Sequence, residues 1–219
     1  MATVLLITAN VALAQAPKAA TYITDEEVKT VNSQTGIDRT IRVVDIGNEN
    51  FAIGVIHRGA SAPAGGARGA APAAARGAAA GGAAPAAARG NATPPERCGE
   101  MGTLPADATP GGIAHDQQTE GYLIISGGGT LVTGGKIMNG NKSGPEAAVT
   151  KELNGPSCSG SMVGPDVVKR VVKTGDIIII PAGVPHGWTE IGDHVDYLSF
   201  RPSARVLQAG YVHPSIKKP

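Results

Sequence analysis

Aromatic residues and cysteines are scarce in this chain of 219 residues. Aromatic side chains make up 3% of it, and there are two cysteines. With so few aromatic rings, we expect a core built from isoleucine, valine and leucine. An excess of charge of one sign is also missing, because the formal net charge is only +1. This balance gives no electrostatic argument for nucleic acid or an anionic membrane surface as the partner, so neither is expected. The length fits one main domain.

Several sequence signatures of enzymes are absent as well. The chain has no G-x-S-x-G, no H-E-x-x-H and no phosphate-binding P-loop. Three consecutive glycines at residues 127–129 lie between two predicted strands rather than before a helix. They therefore predict a hairpin turn and not a phosphate site.

The N-terminus has features of an export signal. An apolar segment at residues 4–14 ends at Ala14-Gln15-Ala16, the A-x-A pattern of a secretory signal peptide, and it is too short to span a membrane. No Lys or Arg precedes it, so the n-region is defective or the true start lies further upstream. A buried N-terminal strand is the alternative. A signal peptide over residues 1–16 would make the mature protein periplasmic or secreted.

The two cysteines, Cys98 and Cys158, lie in segments that resemble loops. In an oxidising compartment, one pair of cysteines predicts one disulfide. Two free thiols are an alternative. Zinc ligation is another, although the usual C-x2-C spacing is missing.

Residues 59–95 form a tract rich in Ala, Gly and Pro, in which residues 69–77 recur without change as residues 82–90. Such a segment has almost nothing to bury and cannot offset the entropy cost of becoming ordered. We therefore expect a disordered, low-complexity insertion in a surface loop.

The rest of the chain predicts mainly strands. Thr24 and Glu27 form a capping box, so a short helix should run to about Asn32. A Gly/Asn/Ser-rich excursion is expected at residues 138–164, and a peripheral tail follows residue 203. The predicted strands cover residues 40–46, 51–58, 120–126, 130–133, 167–172, 176–181, 186–191 and 195–201. Short strands separated by glycine turns favour an all-β sandwich or barrel.

The most specific segment is residues 175–186, with the sequence GDIIIIPAGVPH. Its four isoleucines predict a strand that is buried on both faces. The following Pro and Gly residues predict a tight turn, after which His186 opens another strand. A histidine held so rigidly is well placed for metal binding or acid–base chemistry.

The spacing G-x5-P-x-G-x2-H in this segment resembles the second signature of the cupin family. The first signature is similar to IAHDQQTEGYLIISG, in which His115, Glu120 and the closing Gly127 match. Two positions depart from the family pattern, since Ile113 replaces the first histidine and Glu190 replaces an asparagine. The resemblance covers roughly residues 39–204, without the inserted segments.

The resemblance implies a single antiparallel jelly-roll barrel that binds a divalent metal ion (Fe, Mn, Ni or Zn) through two histidines and one carboxylate. The implied ligands are His115, Glu120 and His186. The resemblance also implies a homodimer. The chain then divides into a signal peptide (1–16), a helix with the first strands (17–58), the insertion (59–95), the barrel segment with both signatures (96–204) and a tail (205–219).

Strand alternation adds candidates for a substrate pocket. Side chains two residues apart share a face of a strand, so Tyr122 and Trp188 should line the pocket and Glu190 should lie deeper. Gln117 could assist weakly. Glu190 and Tyr122 are weak candidates for proton transfer, and the catalytic residues stay unknown.

Three functions are compatible with this pattern. One is a metal-dependent oxygenase, isomerase or decarboxylase of a small polar compound. The second is a non-catalytic module that binds a sugar or an organic acid. The third is a purely structural barrel, which a mouth filled by apolar side chains would support.

Overall fold

The computed structural model of the protein describes residues 19–61, 94–203 and 205–216. The first element is helix α1, Asp25–Asn32. Thr24 caps it, because its hydroxyl accepts a hydrogen bond from the Glu27 backbone N–H while the Glu27 side chain accepts one from the Thr24 backbone. This reciprocal pair confirms the predicted capping box.

Eleven antiparallel strands follow in the described residues, and together they confirm the predicted all-β class. Their bounds are β1 Asp38–Asp45, β2 Asn50–Gly59, β3 Arg97–Cys98, β4 Thr109–His115, β5 Glu120–Thr133, β6 Lys136–Lys142, β7 Ser157–Val163, β8 Val168–Lys173, β9 Ile177–Ile180, β10 His186–Thr189 and β11 His194–Ser203.

The strands form two sheets that share the long strand β5. The first sheet has the order β1-β2-β11-β5-β9, and the second has the order β8-β5-β10-β4-β7-β6-β3. The interior contains a cluster of buried residues that includes Ile56, Ile124, Leu131, Val195 and Tyr197. This arrangement is the predicted jelly-roll barrel.

The prediction of a hairpin turn at residues 127–129 is wrong, because β5 continues through these glycines without interruption. Residues before Gly127 pair with β11 and β9, whereas residues from Gly128 onward pair with β8 and then β10. Gly127 has φ +66°, and a Cβ there would lie 2.0 Å from the carbonyl oxygen of His194. The glycines therefore let one strand bend from one sheet into the other, where neighbouring backbones leave no room for a side chain.

The predicted excursion at residues 138–164 contains regular structure that the sequence analysis did not predict. It contains most of β6, all of β7 and a π-helical turn, Thr150–Asn154. Strands β3 and β4 were not predicted, since β3 is only two residues long and β4 has the sequence TPGGIAH, which lacks an alternating apolar pattern. Pairing with neighbouring strands overrides the weak local signal.

The expectation that the four isoleucines are buried on both faces is wrong. Ile178 and Ile180 pack against the interior, but Ile177 and Ile179 are each 73% exposed. Strand β9 lies at the edge of an antiparallel sheet, of which only one face covers the core.

The homodimer that the resemblance implies stays a prediction.

Cys98 and Cys158 form the predicted disulfide, with their Cα atoms 5.9 Å apart. The bond joins β3 to β7 across a sequence separation of 60 residues. It thereby connects the segment before the first signature to the strand that pairs with β4.

Two predictions concern residues outside the described ones. The signal peptide at residues 1–16 lies there entirely, and so does nearly all of the insertion at residues 59–95. Neither helix in the described ranges has the length and apolar character needed to cross a bilayer.

Replacing both cysteines, as in the C98S/C158S variant, should lower the free energy of unfolding by about 4 kcal/mol. The reason is that the disulfide closes a long loop and restricts the unfolded chain. Urea unfolding followed by circular dichroism measures the difference, and wild-type protein treated with a reductant is the control. Equal stability of the oxidised protein and the variant would contradict a structural role for the bond.

Candidate metal centre

Three strand ends bring the predicted ligands together. His115 ends β4, Glu120 begins β5 and His186 begins β10. The register pairs His186 with Ile113, which draws β10 against the end of β4. All three predicted ligand side chains are buried, and their potential ligand atoms lie within 4.8 Å of one another.

The hydrogen bonds of His115 determine which of its nitrogens can bind a metal. Its Nδ1 lies 2.7 Å from the Ser157 hydroxyl. That hydroxyl has a single proton, and it donates to the carbonyl oxygens of Asn154 and Gly155 at 3.2 and 3.0 Å. Ser157 must therefore accept a hydrogen bond from the Nδ1–H of His115, which leaves the lone pair of the neutral ring on Nε2.

His186 has the same orientation for a different reason. Its Nδ1 lies 3.1 Å from the carbonyl oxygen of Val184, which can only accept a hydrogen bond. The Nε2 atom of His186 lies 2.8 Å from Glu120 Oε2, and that of His115 lies 3.3 Å from the same oxygen. A proton or a cation between these atoms makes such short distances favourable.

The carboxylate of Glu120 has no exposed surface, so its charge depends on the surrounding groups. Tyr122 donates its hydroxyl proton to Oε2 at 2.8 Å, and Ser199 donates to Oε1 at 3.3 Å. Arg201 forms an ion pair with Oε1. Burial raises the pKa of the carboxyl group, but Arg201 and the two histidines outweigh it and hold the pKa well below its usual value.

Arg201 was missed by the sequence analysis, although it is the main counterion of Glu120. Its Nε donates to Ser199 at 2.7 Å, and its Nη1 donates to the Asn154 side chain at 2.6 Å and to the Leu153 carbonyl at 3.2 Å. Burial follows a strict alternation along β11, in which residues 195, 197, 199, 201 and 203 are buried. Polar residues at every second position of a strand were the signal that could have identified Ser199 and Arg201.

The residues present fit a divalent metal ion. Bonds of about 2.1 Å in tetrahedral or octahedral geometry place neighbouring ligand atoms roughly 3.0–3.4 Å apart. The separations of 3.3 and 2.8 Å from Glu120 Oε2 are close to that range. Two imidazoles with one carboxylate suit Fe(II), Mn(II), Ni(II) or Zn(II) and leave further positions open. Burial also lowers the pKa of the His115 imidazole, although Glu120 opposes this, so the neutral form that binds metals is favoured.

A cavity of about 280 Å³ lies next to this centre, and both histidines line it. Two of the predicted pocket residues, Tyr122 and Trp188, also line it. Ile113 lies there too, so the position of the missing histidine faces the cavity.

The structure does not bring the other two pocket candidates to this cavity. Glu190 is exposed, outside the lining and hydrogen-bonded to Thr130 at 3.2 Å. Strand β10 ends at Thr189, and Glu190 has φ +52°, so the alternation that predicted its inward position stops one residue earlier. Gln117 is also exposed, in the bend between His115 and Glu120.

The Arg201→Met variant should lower the free energy of unfolding by about 3–5 kcal/mol, because it leaves the Glu120 charge buried without its counterion. The R201M/E120Q double variant should lose less, since it removes both charges. Urea unfolding in the presence of a chelator measures both values. A loss below about 1 kcal/mol for Arg201→Met would show that the ion pair is not required.

Comparison with known proteins gives distant structural matches only. No protein-family model matches the chain, and no curated protein matches it. A crystal structure of a Bacillus halodurans protein is 10% identical, with a TM-score of 0.40 and coverage of 90% of this chain and 92% of that one. A conserved protein with a double-stranded β-helix domain from Klebsiella pneumoniae subsp. pneumoniae is 15% identical, with a TM-score of 0.35 and coverage of 86% and 94%.

A third structure, hydroquinone 1,2-dioxygenase from Sphingomonas sp. TTNP3 with 4-hydroxybenzoate bound, is 11% identical, with a TM-score of 0.33 and coverage of 95% and 97%. The strand order of the chain itself gives this protein an antiparallel jelly-roll barrel, and the two segments that resemble the cupin signatures meet at its candidate metal centre.

Proposed function

We propose that this protein is a metal-dependent enzyme of the cupin type that acts on a small polar compound. His115, Glu120 and His186 would hold the metal ion, which is Fe, Mn, Ni or Zn. The observation that supports this most is the orientation of the two imidazoles, whose Nδ1 atoms are engaged and whose Nε2 atoms both face Glu120 Oε2. When bound, such an ion polarises substrate oxygens or activates water or dioxygen, as oxygenation, isomerisation or decarboxylation requires.

The chain's own groups have separate roles in this proposal. Tyr122 keeps its proton, because burial and then the Glu120 carboxylate raise the pKa of its hydroxyl well above the usual value. It therefore donates a hydrogen bond to Glu120 and orients the carboxylate rather than acting as a base. The Ser157 hydroxyl keeps His115 in the tautomer that binds metal. Glu190 has no part in the proposal, because it lies outside the cavity.

The metal site is tested by elemental analysis of protein purified without added metal or chelator. Wild-type protein should contain close to one divalent ion per chain, and His186→Ala and Glu120→Gln should contain almost none. Ser157→Ala should weaken binding about 10- to 100-fold, since it removes the hydrogen bond that fixes His115. His57→Ala is the matched control, because His57 is exposed and pairs with Asp196 on the surface. A folded wild-type protein that binds no divalent ion would refute the site.

Restoring the missing histidine gives a second, independent test. Ile113 faces the cavity and pairs with His186, so His at position 113 should add a fourth ligand. We expect I113H to bind Zn(II) at least about tenfold more tightly than wild type in a competition titration with a chromophoric chelator. I113N is the control for polarity, because amides are poor ligands for this metal. Equal affinity of I113H and I113N would contradict the proposed position of the ion.

A non-catalytic module that binds a sugar or an organic acid is the second candidate function. The ion pair between Arg201 and Glu120 favours it, because the buried carboxylate already has a counterion without any metal. This candidate predicts thermal stabilisation by a ligand without turnover. The polar base of the cavity, with both histidines and Arg201 in its lining, argues against a purely structural barrel.

We also propose that the protein is periplasmic or secreted. The disulfide between β3 and β7 supports this, since such bonds form and persist in oxidising compartments. Cell fractionation followed by N-terminal sequencing tests the proposal, and a mature chain that begins near Pro17 is the expected result. A cytoplasmic protein that keeps residues 1–16 would refute it.

A further inference from the structure

The cavity beside the metal centre has a buried base and an exposed opening. His115 and His186 are almost fully buried, whereas the lining residues Gly59, Ala60 and Ser61 are exposed. Arg58 precedes this exposed stretch and also lines the cavity. A ligand inside the cavity therefore has Arg58 toward the opening and the proposed metal centre at the other end.

We propose that this cavity binds a small aromatic carboxylate, with the carboxylate on Arg58 and the ring against Trp188 and Tyr197. The proposal names the substrate class for the cavity of the proposed function and rests on that function. It is independent of which metal ion is held.

The wall of the cavity is aromatic. The ring centroids of Trp188 and Tyr197 are 5.5 Å apart, and those of Tyr197 and Tyr122 are 4.3 Å apart. These are three of only seven aromatic residues in the chain, which has one Trp, four Tyr and two Phe. All three line this one cavity. Flat apolar faces of this kind favour a planar ring by stacking or edge contacts.

Arg58 has hydrogen-bonding capacity that the described residues do not use. Its Nε donates to the Tyr197 hydroxyl at 3.2 Å. Its Nη2 is 3.6 Å from Asp38 Oδ1, which is too long for a hydrogen bond. In residues 19–61, 94–203 and 205–216, neither Nη1 nor Nη2 makes a hydrogen bond, although the side chain is only 17% exposed. A guanidinium group held in this way matches a carboxylate.

Trp188 supplies a second unused donor. Its Nε1 is buried and has no hydrogen-bond partner among the described residues. Buried donors are normally paired, so this N–H is available to an acceptor atom of a ligand. The donor and the stacking face belong to the same side chain, which suits an aromatic ligand that carries oxygen.

The charge and size of the cavity agree with this ligand class. Arg201 balances Glu120 and Arg58 lies beside Asp38, so a divalent ion at the base would leave the cavity positive and would favour an anion. The volume of about 280 Å³ lies just below the roughly 300–1,000 Å³ of pockets for drug-sized ligands. A compound with one ring is therefore the expected size.

The fluorescence of Trp188 can report ligand binding, because Trp188 is the only tryptophan of the chain and lines the cavity. Metal-loaded protein is titrated with benzoate, with neutral benzamide and with cyclohexanecarboxylate, whose ring is not planar. Tryptophan fluorescence and calorimetry report binding. Benzoate should bind at least about tenfold more tightly than either of the others, since each lacks one of the two recognised features. Equal affinity for benzoate and benzamide, or for benzoate and cyclohexanecarboxylate, would overturn the proposal.

Variants of Arg58 identify the carboxylate partner. Arg58→Met should weaken benzoate binding about 10- to 100-fold, and Arg58→Lys should weaken it less. Arg170→Met is the matched control, because it removes one positive charge from an exposed residue outside the cavity and should leave affinity unchanged. If Arg58→Met does not fold, the benzoate affinity of Arg58→Lys is compared with that of Arg170→Met to test whether Arg58 binds the carboxylate. Unchanged affinity in a folded Arg58 variant would refute the assignment.

Metal content, measured on the same samples, separates this inference from the proposed function. Protein that holds a metal ion but does not bind benzoate refutes the substrate class and leaves the metal site intact. Protein that binds benzoate through Arg58 without holding a metal ion supports the ligand class and refutes the metal-dependent enzyme.

Discussion

The buried carboxylate of Glu120 dictates how the side chains around the candidate metal centre are arranged. An isolated charge without solvent contact would be strongly unfavourable, so each of its oxygens needs partners. Those partners come from β4, β5, β10 and β11, and Arg201 extends the network to the π-helical turn through Asn154. The ends of four strands are therefore held in one arrangement by a single side chain.

The two oxygens of this carboxylate have different surroundings. Oε1 accepts from Arg201 and Ser199, whereas Oε2 faces Tyr122 and the two histidines. The ion pair at Oε1 satisfies the charge within the protein, while Oε2 stays on the side of both imidazoles. This asymmetry explains how one residue can stabilise the barrel and also serve as a metal ligand in the proposed function.

Predictability from the sequence differed between elements for physical reasons. The helix was predicted correctly because a capping box is a local interaction between residues three apart. The run of four isoleucines identified β9 but not its exposure, because β-branched residues favour strands whether or not both faces are covered. The glycines at 127–129 were misassigned, since glycine permits a turn and a bend equally well, and only the neighbouring backbones of His194 and Val172 distinguish the two.

Strand patterns in the sequence predicted the all-β class, and the resemblance to the cupin signatures identified the three side chains that meet at the candidate metal centre. The two cysteines favoured a disulfide, and the folded chain shows that they form it. Only the tertiary structure decided what surrounds them. Ser157, Arg201 and Arg58 are far from Glu120 in the chain, and no local pattern connects them. Strand pairing alone brings such residues together, so the tautomers, the counterion and the shape of the cavity are properties of the folded barrel.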